Sequence, residues 1–232
     1  VALKKLVQDI HFADMAEVID ELNEAEGIYL IKLFDSEKTS EILTELDEDV
    51  REKILKALSV KEIADEIEEL DSDDAADILS ELSERRKEEV ISEISDDNLA
   101  DNLKELLSYN EDSAGGLMAK ELIKANENWS VSKCLDEIKK QGENVTRVHS
   151  VYVVDDNKKL IGRLSLKDLI TSSSKSIIKD IYIPKVDSVN VLEKGEDIAK
   201  IMSKYDLEAI PVVDDKKHLV GRITIDDIVD FI

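Results

Sequence analysis

Residues 46–82 read LDEDVREKILKALSVKEIADEIEELDSDDAADILSEL, and the pattern repeats every twelve residues. Leu46, Leu58, Leu70 and Leu82 mark the beat, and the next residues are Asp47, Ser59, Asp71 and Ser83. The same pairing extends outward to Leu22–Asn23, Phe34–Asp35 and Ile94–Ser95. Asn, Asp and Ser side chains accept hydrogen bonds from the unpaired N–H groups of a starting helix, so each marks a helix start. Each unit is then a helix of about two turns with a tight link, too short to be stable alone because nucleation is costly. Stacking on neighbours supplies the missing burial. The reading is an all-α superhelical array of short helices over residues 1–116.

A second repeat lies downstream. Val151–Ile170 is VYVVDDNKKLIGRLSLKDLI and Ile210–Val229 is IPVVDDKKHLVGRITIDDIV, with 9 of 20 positions identical at an offset of 59 residues. Each copy has a β-branched apolar run, a polar turn, a second apolar run and a short helical pattern, which is a hairpin followed by a helix. A helical segment precedes each hairpin: Val131–Lys140, opened by Ser130 and closed by Gly142, and roughly Asp197–Lys204. The expectation is an α+β multidomain chain, the helical array followed by two tandem α/β modules over 117–180 and 181–232. Gly115–Gly116, after the polar run from Tyr109, breaks the helical pattern and suits a chain reversal at the junction.

Composition narrows the function classes. The apolar runs fall far short of the roughly 18 residues of a membrane span. The chain opens on Val1 without a Met or a signal peptide, as a piece excised from a longer protein would. A single cysteine, Cys134, excludes an internal disulfide framework and fits a reducing compartment; its place in an amphipathic helix marks it as core. Aromatics make up 4% of the chain, so the cores should be aliphatic. Net charge is −24, and its distribution says more. Residues 1–118 hold 35 Asp and Glu against 12 Lys and Arg; residues 119–232 hold 20 against 19. Such a negative array repels nucleic acid and anionic lipid and attracts cations.

No catalytic constellation stands out. His11, His149 and His218 are scattered without metal-ligand spacing, and no phosphate-cradling glycine loop, nucleophile elbow or HExxH is present. His149 falls at a strand start and His218 in an exposed hairpin turn. Carboxylates are the better candidates. Asp73 and Asp77 share a helix face, as do Asp227 and Asp230 on a final helix. Like charges so placed cost about 0.2–0.5 kcal/mol per pair. A divalent cation reverses that penalty, and magnesium bridges carboxylates through retained waters without a dedicated cage. The plain alternative is a solvated acidic surface. Ser165-x-x-Asp168 and Thr224-x-x-Asp227, each opening a helix after Gly-Arg, fit either a capping box or a ribose- and phosphate-holding helix start.

The ordering of these texts resembles a known family. EDSAGGLM (Glu111–Met118), set between HFADMAEVIDEL (His11–Leu22), LDSDDAADILSEL (Leu70–Leu82) and the two hairpin modules, is similar to the cytosolic part of MgtE-type magnesium channels and transporters. YVVDDNKKLIGRLSLKD and YDLEAIPVVDDKKHLVGRITIDD resemble cystathionine-β-synthase (CBS) domains. The resemblance implies magnesium held between the helical domain, the second CBS module and a linker helix beyond Ile232. Matched residue by residue, the metal positions are Asp73, Asp77, Glu196, Asp206, Asp227 and Asp230. It also implies a homodimer formed through the CBS modules, a transmembrane pore following this region, and a place at the cytoplasmic face of the cell membrane. Some relatives bind ATP, and that pattern maps onto Lys167, Asp168, Asp206 and Leu207. Two departures weaken it. Lys167 replaces an Arg common in relatives and so lacks the bidentate fork. Ser150 replaces an aromatic that would stack on adenine. The leading expectation is a magnesium-sensing regulatory region; its rivals are an adenine-nucleotide sensor with a passive helical arm and a protein-binding scaffold.

Overall fold

A computed structural model describes residues 2–142, 145, 148 and 150–229. The chain divides into two compact units, Val1–Glu105 and Leu106–Ile232.

The first unit is helical: α1 (Ala2–Val7), α2 (Phe12–Asp20), α3 (Glu24–Ile31), α4 (Ser36–Glu45), α5 (Glu48–Ala57), α6 (Val60–Ile67), α7 (Ser72–Ser80), α8 (Glu84–Glu93) and α9 (Asp97–Leu106). The twelve-residue beat is visible as helix breaks. Asn23, Asp35, Asp47, Ser59, Asp71 and Ser83 are the N-cap residues of α3 to α8. Asn23 and Ser59 form full capping boxes with Glu26 and Glu62. The last beat slips. Ser95 does not start α9; Asp96 does, accepting the N–H of Asn98 at 2.8 Å. Ser95 instead donates its N–H to the Glu68 carboxylate.

Packing skips a helix. α2 packs on α4, α4 on α6 and α6 on α8, while α3 packs on α5, so alternate helices stack as a superhelix does. Met15, Ile19, Ile42, Leu43, Ile63, Ile67 and Leu79 fill the interior, an aliphatic core as the composition requires. Cations close the free C-terminal carbonyls. Lys38 Nζ donates to the carbonyls of Gln8 (2.7 Å) and Ile10 (2.6 Å). Arg51 donates to those of Leu43, Thr44 and Leu46, and Arg86 to those of Leu55 and Leu58. Helix C-termini carry partial negative charge, so each cation both hydrogen-bonds and neutralises.

The second unit holds α10 (Ala114–Leu117) and two β-α-β-β modules. The first has β1 (Ile123–Asn126), α11 (Val131–Gln141), β2 (Val151–Val154), β3 (Leu160–Leu164) and α12 (Leu166–Thr171), and is completed by β4 (Ile183–Pro184). The second has β5 (Val189–Asn190), α13 (Gly195–Tyr205), β6 (Ala209–Val213) and β7 (Leu219–Thr224). In each, the first strand pairs parallel with the second, which forms an antiparallel hairpin with the third. The preceding helix of the second module is thus longer than the pattern indicated, starting at Gly195. After β7 the described residues turn tightly through Val229 without an α-helix, so the helix face expected for Asp227 and Asp230 is not observed, and Asp230 lies outside the described residues. No helix among the described residues is long and apolar enough to cross a membrane.

The modules exchange their leading segments. The stretch before module one joins module two: Ala119 pairs with Arg222 on β7, Gly115 N–H donates to the Val191 carbonyl at 2.8 Å, and Gly195 N–H donates to that of Asp112 at 2.8 Å. The stretch before module two joins module one: β4 pairs with β3, and Ile178 N–H donates to the Trp129 carbonyl at 2.9 Å. The two hairpin turns also bond reciprocally. Leu160 N–H donates to the Lys217 carbonyl (3.0 Å) and Leu219 N–H to that of Lys158 (3.2 Å). These bonds map onto each other under the 59-residue offset, so a local twofold passes between Lys159 and His218.

A local turn of the chain explains the glycine pair. Gly115 and Gly116 do not break a helix; they lie within α10. A Cβ at Gly115 would sit 2.4 Å from the Tyr109 ring, and one at Gly116 would sit 2.4 Å from the Asn110 carbonyl oxygen. Close backbone approach, not an unusual dihedral, requires them.

Candidate functional site

The first module's candidate anion site lies at the junction of β3 and α12. Ser165 is the N-cap of α12 but makes no side-chain cap bond. Asp168, half-buried, and Lys167, exposed, have no ion pair among the described residues. Of the two readings open for this motif, the capping box is not made among the described residues. In the second module half of the pattern is made, with no α-helix after it: the Asp227 carboxylate accepts both the Thr224 N–H (2.9 Å) and the Thr224 hydroxyl (2.6 Å). Burial is the main influence on Asp227 and raises its pKa; the Thr224 bonds oppose this. One copy of the motif is therefore bonded internally, and the other holds half-buried Ser165 and Asp168 side chains that do not bond each other.

Asp206 ends α13 in the left-handed conformation, φ 53°, and the Leu207 N–H donates to the Met202 carbonyl at 3.0 Å. Asp206 is thus a helix stop in its own right, since Asp tolerates this conformation better than most residues. Among the described residues no hydrogen bond or ion pair links Lys167 and Asp168 to Asp206 and Leu207. Ser150 lines a crevice with Leu122, Ile123, Val145, Val148, Tyr152 and Arg222 that has no room for a water molecule. The Tyr152 hydroxyl is buried there without a hydrogen-bond partner among the described residues. Desolvation pushes that phenol up to about 12.

The metal candidates distribute over several elements. Asp73 and Asp77 are four residues apart on α7 and share a face; Asp73 is half-buried and its carboxylate accepts the Asp74 N–H at 3.0 Å. Glu196, in the first turn of α13, and Asp206, at its end, are about 15 Å apart along the axis at about 1.5 Å per residue, so one ion does not bridge them. Among the described residues no three Asp, Glu, His or Cys side chains converge as a metal cage. The donor chemistry suits magnesium held through waters by one or two carboxylates.

Cys134 is buried in the first module's core, where desolvation raises the thiol to about 11. His218 is half-buried rather than exposed: its Nδ1 lies 2.8 Å from the Asp214 carboxylate. His149 lies outside the described residues.

Sequence reading passed over one residue. Glu66 occupies the buried face of α6 with Ile63 and Ile67, only 8% exposed. The spacing Ile63, Glu66, Ile67, Leu70 already placed a carboxylate in an apolar helical stripe.

The chain thus joins an acidic stack of short helices to a paired β-α-β-β fold. Comparison with known proteins agrees. The MgtE intracellular N domain family matches residues 10–112, and the CBS domain family matches 114–175 and 178–232. The cytosolic domain of the Mg2+ channel MgtE, solved in complex with ATP, superposes with a TM-score of 0.92 at 30% identity, over 100% of this chain and 94% of that one. The soluble part of a magnesium transporter gives 0.85 at 30% identity, over 98% and 89%. The magnesium transporter MgtE of Thermus thermophilus is 37% identical over 122 residues, 53% of this chain and 27% of that protein. That of Enterococcus faecalis is 37% identical over 126 residues, 54% and 28%. The chain belongs to the MgtE family, as an N domain with tandem CBS domains, and is a regulatory, non-enzymatic region. Its match spans between a quarter and a third of the length of these two relatives.

Proposed function

We propose that this chain is the magnesium-sensing region of a magnesium channel or transporter, at the cytoplasmic face of the cell membrane, controlling a transmembrane pore. Its parts are an acidic helical domain (1–116) and CBS modules (117–180 and 181–232). Mg2+ bridges acidic surfaces and favours a compact state that closes the pore; Asp73, Asp77, Glu196, Asp206, Asp227 and Asp230 are the ligands. The carrying observation is the charge split, 35 acids against 12 bases over residues 1–118 and near balance beyond. Unit charges about 4 Å apart repel by about 1 kcal/mol in water and about 4 kcal/mol at an effective dielectric near 20. A few such contacts match the stability of a domain, so compaction must depend on cations. Solution scattering over a magnesium titration tests this. Asp73→Asn with Asp77→Asn should raise the magnesium midpoint for compaction. An unchanged midpoint removes both residues from the switch.

A second reading has its own support. The unsatisfied Ser165 and Asp168, beside a satisfied Thr224 and Asp227, favour an adenine nucleotide at the first module, held by Lys167, Asp168, Asp206 and Leu207. The related MgtE domain was solved with ATP. ATP without metal should raise the thermal midpoint, and Asp168→Ala should abolish the rise. Ile170 and Val229, exposed at positions related by the 59-residue offset, support a homodimer through the CBS modules.

A further inference from the structure

Glu66 is a burial anomaly in the helical unit. It is 8% exposed, its Oε2 is buried, and no donor among the described residues reaches that atom. The charges acting on it most are carboxylates: Asp65, Glu69 and Glu62 around α6, and Asp35 at the cap of α4. The helices packed on α6 are α4 and α8. The cations of α8 are committed elsewhere: Arg86 to the carbonyls of Leu55 and Leu58, Lys87 to Glu84, and Arg85 to Glu89. Lys32 pairs with Glu62 at 3.6 Å, and Lys38 is spent on the carbonyls after α1. No three ligating side chains among the described residues converge to hold a metal there. An ionised, unpaired carboxylate in an apolar interior is strongly disfavoured, and the cation available to neutralise it is a proton.

We infer that Glu66 is a proton-operated latch: protonated, it lets α6 close against α4 and α8, and ionised, it loosens the acidic helical unit. The inference concerns the helical unit alone and stands whether or not the magnesium reading holds. Desolvation chiefly, with those carboxylates adding, raises the group from 4.5 to about 8. The sign follows. A raised folded-state pKa gives stability that is fully present below 4.5 and is lost as pH rises through about 8. Between those values the folded unit holds one proton more than the open one. The opening equilibrium therefore rises almost tenfold per pH unit in the middle of that window and less near its upper end, about 50-fold in all from about pH 6 to about pH 8.

The test is a carbon-13 NMR titration of the side-chain carboxyls in the full chain, with urea midpoints at several pH values. One carboxyl resonance, missing in Glu66→Gln, should titrate near neutral or mildly alkaline pH, and the fall in midpoint from about pH 6 to about pH 8 should flatten in Glu66→Gln and Glu66→Leu. Should neither variant fold, the wild-type titration decides alone, because every carboxyl titrating below pH ~6 would overturn the latch. An equal pH slope in wild type and a folded variant would overturn it as well.

Discussion

Gly162 and Gly221, both buried, should be the least replaceable glycines of the CBS pair, for a reason visible only in the exchanged leaders. A Cβ at Gly162 would lie 2.4 Å from the Ile183 carbonyl oxygen and 2.5 Å from the Tyr182 ring. At Gly221 it would lie 2.6 Å from the Met118 sulfur and 2.8 Å from the Ala119 carbonyl oxygen. Overpacking of this kind costs about 1–3 kcal/mol. The obstacle at Gly162 is backbone of the paired β4, so relief means parting that pair as well. At Gly221 the first obstacle is a flexible thioether. The strand contact behind it is two bonds, Ala119 N–H to the Arg222 carbonyl (2.8 Å) and the reverse (2.9 Å). Each contributes about 1 kcal/mol net. Gly142, with nothing within 4 Å of its Cβ and φ −70°, is the control. Replacing it by Ala should stabilise by about 0.4–1 kcal/mol through the unfolded chain.

The expected order of cost is therefore Gly162→Ala at about 3 kcal/mol, Gly221→Ala at about 2, and Gly142→Ala at or below zero. Trp129, the single tryptophan, packs against the first module's core, so its fluorescence in urea reads the Gly162 variant directly. Circular dichroism reads the others. Midpoints for Gly162→Ala and Gly221→Ala within about 0.5 kcal/mol of Gly142→Ala would refute the claim that exchanged strands fix these glycines.

Asp227→Asn should destabilise by about 1 kcal/mol in urea unfolding, because two bonds from Thr224 lose their anionic acceptor, whereas Asp168→Asn in nucleotide-free protein should lie within about 0.5 kcal/mol of wild type. Arg86→Met should cost about 1–3 kcal/mol, since it uncovers the carbonyls of Leu55 and Leu58. Arg85→Met should cost under about 0.5 kcal/mol, because its pair with Glu89 is a solvent-exposed one.

Much of this architecture can be read from local chemistry. Capping residues every twelve positions encode the helix starts because a cap acts within three residues of itself. The slip at Ser95 shows the limit of that rule: Asp96, one position on, is a stronger acceptor, and a distant Glu68 claims the Ser95 N–H. The hairpins follow from alternating runs and paired turns. By contrast, the fate of Ser165–Asp168 against Thr224–Asp227 is hidden in the text, because the two motifs match and only their settings differ. The glycines at 115 and 116 were visible as punctuation but not as contacts, since Tyr109 and Asn110 reach them only after the chain turns. Glu66 could have been found from its place in the apolar stripe of α6, where the abundance of neighbouring acids disguised it.

The exchange of leaders has a consequence for how signals travel. Residues 112–119 follow the helical unit in sequence, yet their hydrogen bonds are to the second module, at Val191, Glu193, Gly195 and Arg222. Three of the acidic candidates, Glu196, Asp206 and Asp227, lie on that same module; Glu196 is adjacent to Gly195, whose N–H is bonded to the Asp112 carbonyl. A cation that pulled on the start of α13 would load this bond and, through it, the segment leaving α9. The same segment runs on covalently into β1 of the first module at Ile123, so its hydrogen bonds tie the second module to the strand that opens the first. The two modules are therefore coupled at this segment as well as through the reciprocal turn bonds at Lys158 and Lys217 and through β4.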